Sequence, residues 1–192
     1  MREKIIVLKA QAGDLRTGRY FSKLAALRDL HQLNLEYGGE KKISRDYMIY
    51  TFIASEGQSK IELVDDYMND IAYISLQHIP ENIIIFVTKW LKDTIGAYDM
   101  TEIKACLNND FTNKNKFLTH LGLMQDKEEK DIETLEIVKS ALKSDDPEVI
   151  EKALIVSQLL GWPEFAPQVK NIYESSQDLH IKEFAEKFLT QI

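Results

Sequence analysis

Four histidines (His31, His78, His120 and His180), one cysteine (Cys106) and a surplus of carboxylates are the groups from which this chain could assemble chemistry. A local zinc site needs ligands at short spacing, as in His-Glu-x-x-His or Cys-x-x-Cys. No histidine here has a second His or Cys three to five residues away, so no metal or other cofactor is expected. Cys106 lies in Lys-Ala-Cys-Leu-Asn-Asn-Asp. A nucleophilic thiolate needs a nearby histidine, cation or helix start to lower its pKa. Only a helix start stands near in sequence, so Cys106 reads as a structural thiol. No Gly-x-Ser-x-Gly elbow is present. Gly38-Gly39-Glu-Lys-Lys-Ile-Ser44 is superficially like a phosphate loop but lacks its Gly-Lys-Ser/Thr ending. The search for catalytic residues returns none, and a non-enzymatic protein is expected.

The carboxylates point elsewhere. Asp65 and Asp66 are followed by Asp70, and Asp66 and Asp70, four apart, are expected to share a helix face. A second run, Glu128, Glu129, Asp131, Glu133 and Glu136, is relieved only by Lys127 and Lys130. Two carboxylates can bind a metal or move protons, but a solvated face explains both groups more simply. Their sharper use is docking a basic partner, and Asp65, Asp66, Asp70, Glu128, Glu129, Asp131 and Glu133 are the candidate partner-binding residues. Net charge is −7 over 192 residues. Residues 1–50 hold ten Lys/Arg against six Asp/Glu, and the remainder 14 against 25. An acidic body repels nucleic acid and attracts basic proteins. Arg16, Arg19 and Lys23, at i, i+3 and i+7, are the one basic face that argues the other way.

These groups must be positioned by elements that read mostly as helices. Breakers are few, eight glycines and four prolines. Asp14 to Tyr37 has Leu15, Tyr20, Leu24, Leu27 and Leu30 near one face and ends at Gly38-Gly39. Ser44 is placed to cap a helix through Ala54, with Gly57 beyond it. Ile61, Val64, Met68 and Ile71 form a third apolar stripe. Pro80 starts a helix ending near Gly96, Asp99 caps the next, and Thr112 caps one that stops at Gly122. Ile132, Leu135, Val138 and Leu142 are the expected buried line of the following helix. Asp146-Pro147, Pro163 and Asp178 or Ser176 open the rest. The expected fold is all-α, a solenoid-like stack of about ten antiparallel helices forming a single domain over residues 1–192. The alternative is α+β, because Glu3–Ala10, Tyr47–Ala54 and Asn82–Val87 are rich in β-branched residues that suit strands.

The last third repeats itself. Val138-Lys139 matches Val169-Lys170 at an offset of 31, and Asp146, Val149 and Ala153 match Asp178, Ile181 and Ala185 at 32. Each unit is a helix, an acidic turn and a second helix with a small Ala. This pattern resembles the HEAT and armadillo class of helical repeats over residues 132–192. Asp146, Pro147, Val149, Ala153, Leu159, Leu160 and Gly161, then Asp178, Ile181, Ala185 and Leu189, carry the resemblance. It implies a stack in which each pair covers its neighbour's apolar face and builds a binding surface.

A protein-binding protein is therefore expected, in concrete form an immunity or inhibitor protein that neutralises a basic toxin or nuclease through its acidic surface. The alternatives are a DNA-repair-type or other nucleic-acid-binding helical repeat, and an enzyme whose site forms only in three dimensions. One unpaired cysteine, no signal-like start and no apolar run long enough to span a bilayer make the cytoplasm the expected location, without a membrane partner.

Overall fold

The computed structural model describes residues 3–9, 34–54, 57–67, 69–109 and 114–192. They fall into two compact units, residues 1–98 and 99–192. The first is built on an antiparallel sheet, which overturns the all-α expectation and the solenoid of ten helices. Its strands are β1 (Lys4–Val7), β2 (Leu35–Ser44), β3 (Tyr47–Ala54), β4 (Lys60–Asp66) and β5 (Ile71–Gln77), in the order β1-β5-β4-β3-β2. β2 to β5 form a meander, and β1 closes onto β5. The proposed helix Asp14–Tyr37 lies outside the described residues up to position 33, and its end belongs to β2.

Alternation explains why these segments pair. Tyr50, Phe52 and Ala54, Ile61 and Leu63, Ala72, Ile74 and Leu76, and Ile6 all point to one face at a spacing of two. Helix α1 (Glu81–Thr94) covers that face with Ile83, Val87 and Leu91. The stripe Ile61, Val64, Met68 and Ile71 has helical spacing by coincidence. Ile61 and Val64 face opposite sides of β4, and both are buried. Gly38 and Gly39 do not end a helix. They form a bulge within β2, where Gly39 takes φ +119° and the register slips between Tyr37 and Gly39. Ser44 caps no helix; its hydroxyl accepts from the Asp46 amide in the tight β2–β3 turn. Of the three β-branched segments, Lys4–Val7 and Tyr47–Ala54 are strands, whereas Asn82–Val87 is helical. There the i, i+4, i+8 burial of Ile83, Val87 and Leu91 against the sheet outweighs local strand preference.

The second unit is helical among its described residues. It contains α2 (Met100–Asn109), α3 (Lys114–Met124), α4 (Ile132–Ala141), α5 (Pro147–Leu160), a 3₁₀ turn (Pro163–Phe165), α6 (Ala166–Ser175) and α7 (Leu179–Gln191). α5 packs against both α3 and α7, while α2 packs on α3, α4 on α5 and α6 on α7. Local caps set the boundaries. The Asp146 and Asp178 carboxylates accept from backbone amides at the starts of α5 and α7, and Gly161 ends α5 at φ +64°. Gly122 does not end α3. It sits inside the helix, where a Cβ would lie 2.9 Å from Val156 Cγ2 on α5. Of the expected buried line of α4, Val138 and Leu142 are buried, but the line is turned at the start of the helix. Thr134, Ile137, Val138 and Ala141 are buried, and Ile132 is exposed. Among the described residues, no helix is long and apolar enough to cross a membrane.

Candidate functional site

The acidic groups divide between the units. Asp65 and Asp66 lie on β4 rather than on a helix, so they face opposite sides of the sheet. Asp65 is wholly buried, opposite Ala72 and Met48, and presents no carboxylate to solvent. Asp66 closes the β4–β5 turn, its two oxygens accepting from the Asn69 amide at 3.2 Å and side chain at 2.7 Å. Asp70 occupies the same turn with φ +50°. The structure therefore does not assemble Asp65, Asp66 and Asp70 into one exposed helical face.

The second run surrounds the start of α4. Gln125 Nε2 donates to the Glu129 carbonyl at 2.8 Å, and the Glu128 amide donates to Asp126 at 2.9 Å. This shapes a tight loop with the Glu128 and Glu129 side chains exposed. Asp131 is the N-cap of α4, accepting from the Thr134 amide at 2.7 Å. The same carboxylate pairs with Lys104 of α2 at 2.5 Å, and Glu133 pairs with Lys104 at 3.2 Å. Burial opposes the charge on Lys104, yet the hydrogen bonds it donates to Asp131 and Glu133 prevail and raise its pKa. Lys104, followed by the Thr134 amide, holds Asp131 down to about 2. Asp131 thus has a structural task, joining α2 to α4. Glu133 and Glu136 remain more than half exposed.

This assigns a pH signature. Because the folded pKa of Asp131 lies below its ordinary value, its stabilisation is complete above about pH 4 and fades as pH falls towards about 2. Asp131→Asn keeps a capping oxygen but loses the ion pair with Lys104; Asp131→Ala also loses the cap, at a cost of about 1 kcal/mol. In urea titrations, the difference between wild type and Asp131→Asn should be present at pH 6 and shrink as pH approaches 2. A difference independent of pH would mean the ion pair contributes nothing.

The described histidines and the thiol lie on different elements. His78 sits in the turn after β5 with φ +56°, and its carbonyl accepts from Ser59 at 3.0 Å. His120 is buried edge-on to Phe117 within α3. His180 stands edge-on to Phe184, 3.7 Å from Glu151. His31, Arg16, Arg19 and Lys23 lie outside the described residues. Cys106 is partly buried on α2. No group of three or more His, Cys, Asp or Glu suited to a metal occurs among the described residues.

Strand pairing does create one polar constellation that sequence reasoning missed. On the sheet face opposite α1, Ser75 donates to Glu3 at 2.5 Å, and Gln77 donates to both Glu62 and Ser75 at 3.0 Å. Lys60 pairs with Glu62 at 2.7 Å. Tyr47 and Tyr73 share a hydrogen bond at 3.1 Å on the same face, and burial raises the Tyr73 pKa strongly. The i, i+2 pairs Lys60/Glu62 and Ser75/Gln77 were the available signal, legible only once both segments are known to be strands. Ser75 is 2% exposed, so its hydroxyl is committed to this network rather than offered to a substrate.

No protein-family model, curated protein or solved structure matches this chain.

Proposed function

We propose that this chain is a non-enzymatic protein-binding protein whose helical unit presents an acidic surface to a basic partner. Its concrete form is an inhibitor that covers the cationic site of a toxin or nuclease, as an immunity protein does. The supporting observation is the division of charge. Residues 99–192 hold 18 Asp/Glu against 11 Lys/Arg, the whole net −7, while residues 1–98 hold 13 of each. Within the helical unit, Glu128, Glu129, Glu133 and Glu136 stand exposed around one helix start. Stacked helical pairs, as the resemblance implies for residues 132–192, suit the packing of α4 on α5, of α6 on α7 and of α5 on α7. Clustered like charge on one partner accelerates encounter with an oppositely charged one.

The test is association kinetics with a partner captured from the native cell and purified. Glu128→Lys, Glu129→Lys and Glu136→Lys together should slow association about tenfold or more at low salt and flatten its salt dependence, with dissociation changed less. Asp131 is excluded from this set because its loss would disturb α4. An acidic partner, or association unmoved by the triple variant, would sink the reading.

A second reading, an enzyme whose site forms only in three dimensions, is favoured by one observation. Sheet pairing alone brings Glu3 to Ser75, 72 positions away, and Gln77 links Ser75 to Glu62. A hydrolase substrate panel tests it: turnover lost in Glu3→Gln and Glu62→Gln variants that still fold would favour it over protein binding.

A further inference from the structure

β2 is the outermost strand of the sheet among the described residues, and it is long for an edge, ten residues from Leu35 to Ser44. Leu35 is buried and Gly39 half-buried; the other eight residues are exposed. A long exposed edge offers a row of unpaired amides and carbonyls to another strand. Three of the large exposed apolar side chains gather here, Tyr37, Ile43 and Ile53. Ile53 of β3 leans over Gly38, since a Cβ there would meet its Cδ1 at 3.0 Å.

The charges along β2 are ordered. Glu36 and Glu40 come first, Lys41 and Lys42 after, and no ion pair engages them among the described residues. In a regular strand, Glu36 and Lys41 would point to opposite faces. The bulge at Gly38 changes that: Glu36 lies opposite Ile53 and Lys41 opposite Ile49, both on the face away from α1. Tyr37 and Glu40 lie opposite Phe52 and Tyr50, both on the α1 face. A two-fold axis between Gly38 and Gly39 therefore sets Glu36 opposite Lys41 of a second copy, twice, and Tyr37 opposite Glu40, with every facing pair on a common face. Centring the axis on Glu40 or Lys41 instead would oppose like charges.

We propose that the β2 edge is a self-association surface, on which a second copy of this chain adds its own β2 antiparallel about an axis between Gly38 and Gly39. The interface is isologous, as two-fold contacts must be. It joins the two sheets edge to edge, ten strands among the described residues, brings the two Ile53 side chains towards the axis and pairs Glu36 with Lys41 reciprocally. It lies in the unit that carries no net charge, so it does not depend on the acidic docking surface.

Sedimentation of the full chain across concentration and salt reads the dimer. Each of Glu36→Lys and Lys41→Glu alone places two like-charged pairs across the axis and should raise the dimer dissociation constant at least about tenfold. The double variant E36K/K41E restores opposite charges and should recover dimerisation, which a mere folding defect would not do. Carbodiimide treatment of the wild type should link Glu36 of one copy to Lys41 of the other, identified by mass spectrometry of the cross-linked peptide. A chain that stays monomeric at every concentration overturns the proposal. So does a dimer indifferent to the single reversals, a double variant that fails to recover, or a cross-link pattern that omits this pair.

Discussion

Trp162→Ala should unfold the helical unit at markedly lower denaturant, with a loss of about 3–5 kcal/mol. The indole is 2% exposed and fills the corner after α5. It stacks on Phe165 at 5.8 Å between ring centres, and Phe165 packs edge-on to Phe188 of α7 at 6.4 Å. Its Nε1 donates to the Lys127 carbonyl at 2.8 Å. One side chain thus ties the loop before α4 to the corner before α6 and to the α7 core. Trp162→Phe separates these contributions. It keeps much of the ring but removes the donor to the part-buried Lys127 carbonyl, at about 0.5–1.5 kcal/mol. Urea melts followed by far-ultraviolet circular dichroism measure both. If alanine and phenylalanine cost the same, the hydrogen bond and not the packing dominates the corner.

Gly122→Val should be the other large effect, about 1–3 kcal/mol or more. The glycine lets α3 and α5 approach closely, and an added Cβ would lie 2.9 and 3.2 Å from the two methyl carbons of Val156 and 3.4 Å from Leu159 Cδ1. Val156 is wholly buried and β-branched, so it has little freedom to move aside. A double change, Gly122→Val with Val156→Ala, should recover part of the loss because the added volume is returned. If Gly122 instead served as a helix stop, Val156→Ala would bring no rescue. The pair therefore also tests whether this glycine is a spacer or a terminator, which sequence spacing alone decided wrongly.

The caps show why the helical unit was largely legible. Asp146 accepts from the amide two residues on, Asp178 from those two and three on, and Gly161 turns left-handed just after Leu160. Each is a contact within a few residues, so residue type and spacing suffice to place it. The buried line of α4 was less legible, since Ile132 and Ile137 are equally apolar and only the packed neighbours decide which is covered. In the first unit, the same local logic misled. Ile61, Val64, Met68 and Ile71 suit a helix as well as they suit two strands, and Gly38-Gly39 suits a helix end as well as a bulge.

Residue order alone was enough for the helix boundaries from Pro147 onward, for a basic first 50 residues before an acidic remainder, and for Glu3–Ala10 and Tyr47–Ala54 as alternative strands. Long-range packing was needed to place β5 between β1 and β4, to bury Asp65 while Asp66 caps a turn, to hold Asp131 by Lys104, and to bring Glu3 to Ser75. The physical reason is range. A cap or a charge count is settled by neighbours along the chain, whereas a strand has no internal hydrogen bonds and acquires its faces, its partners and its buried groups only from segments far away in sequence.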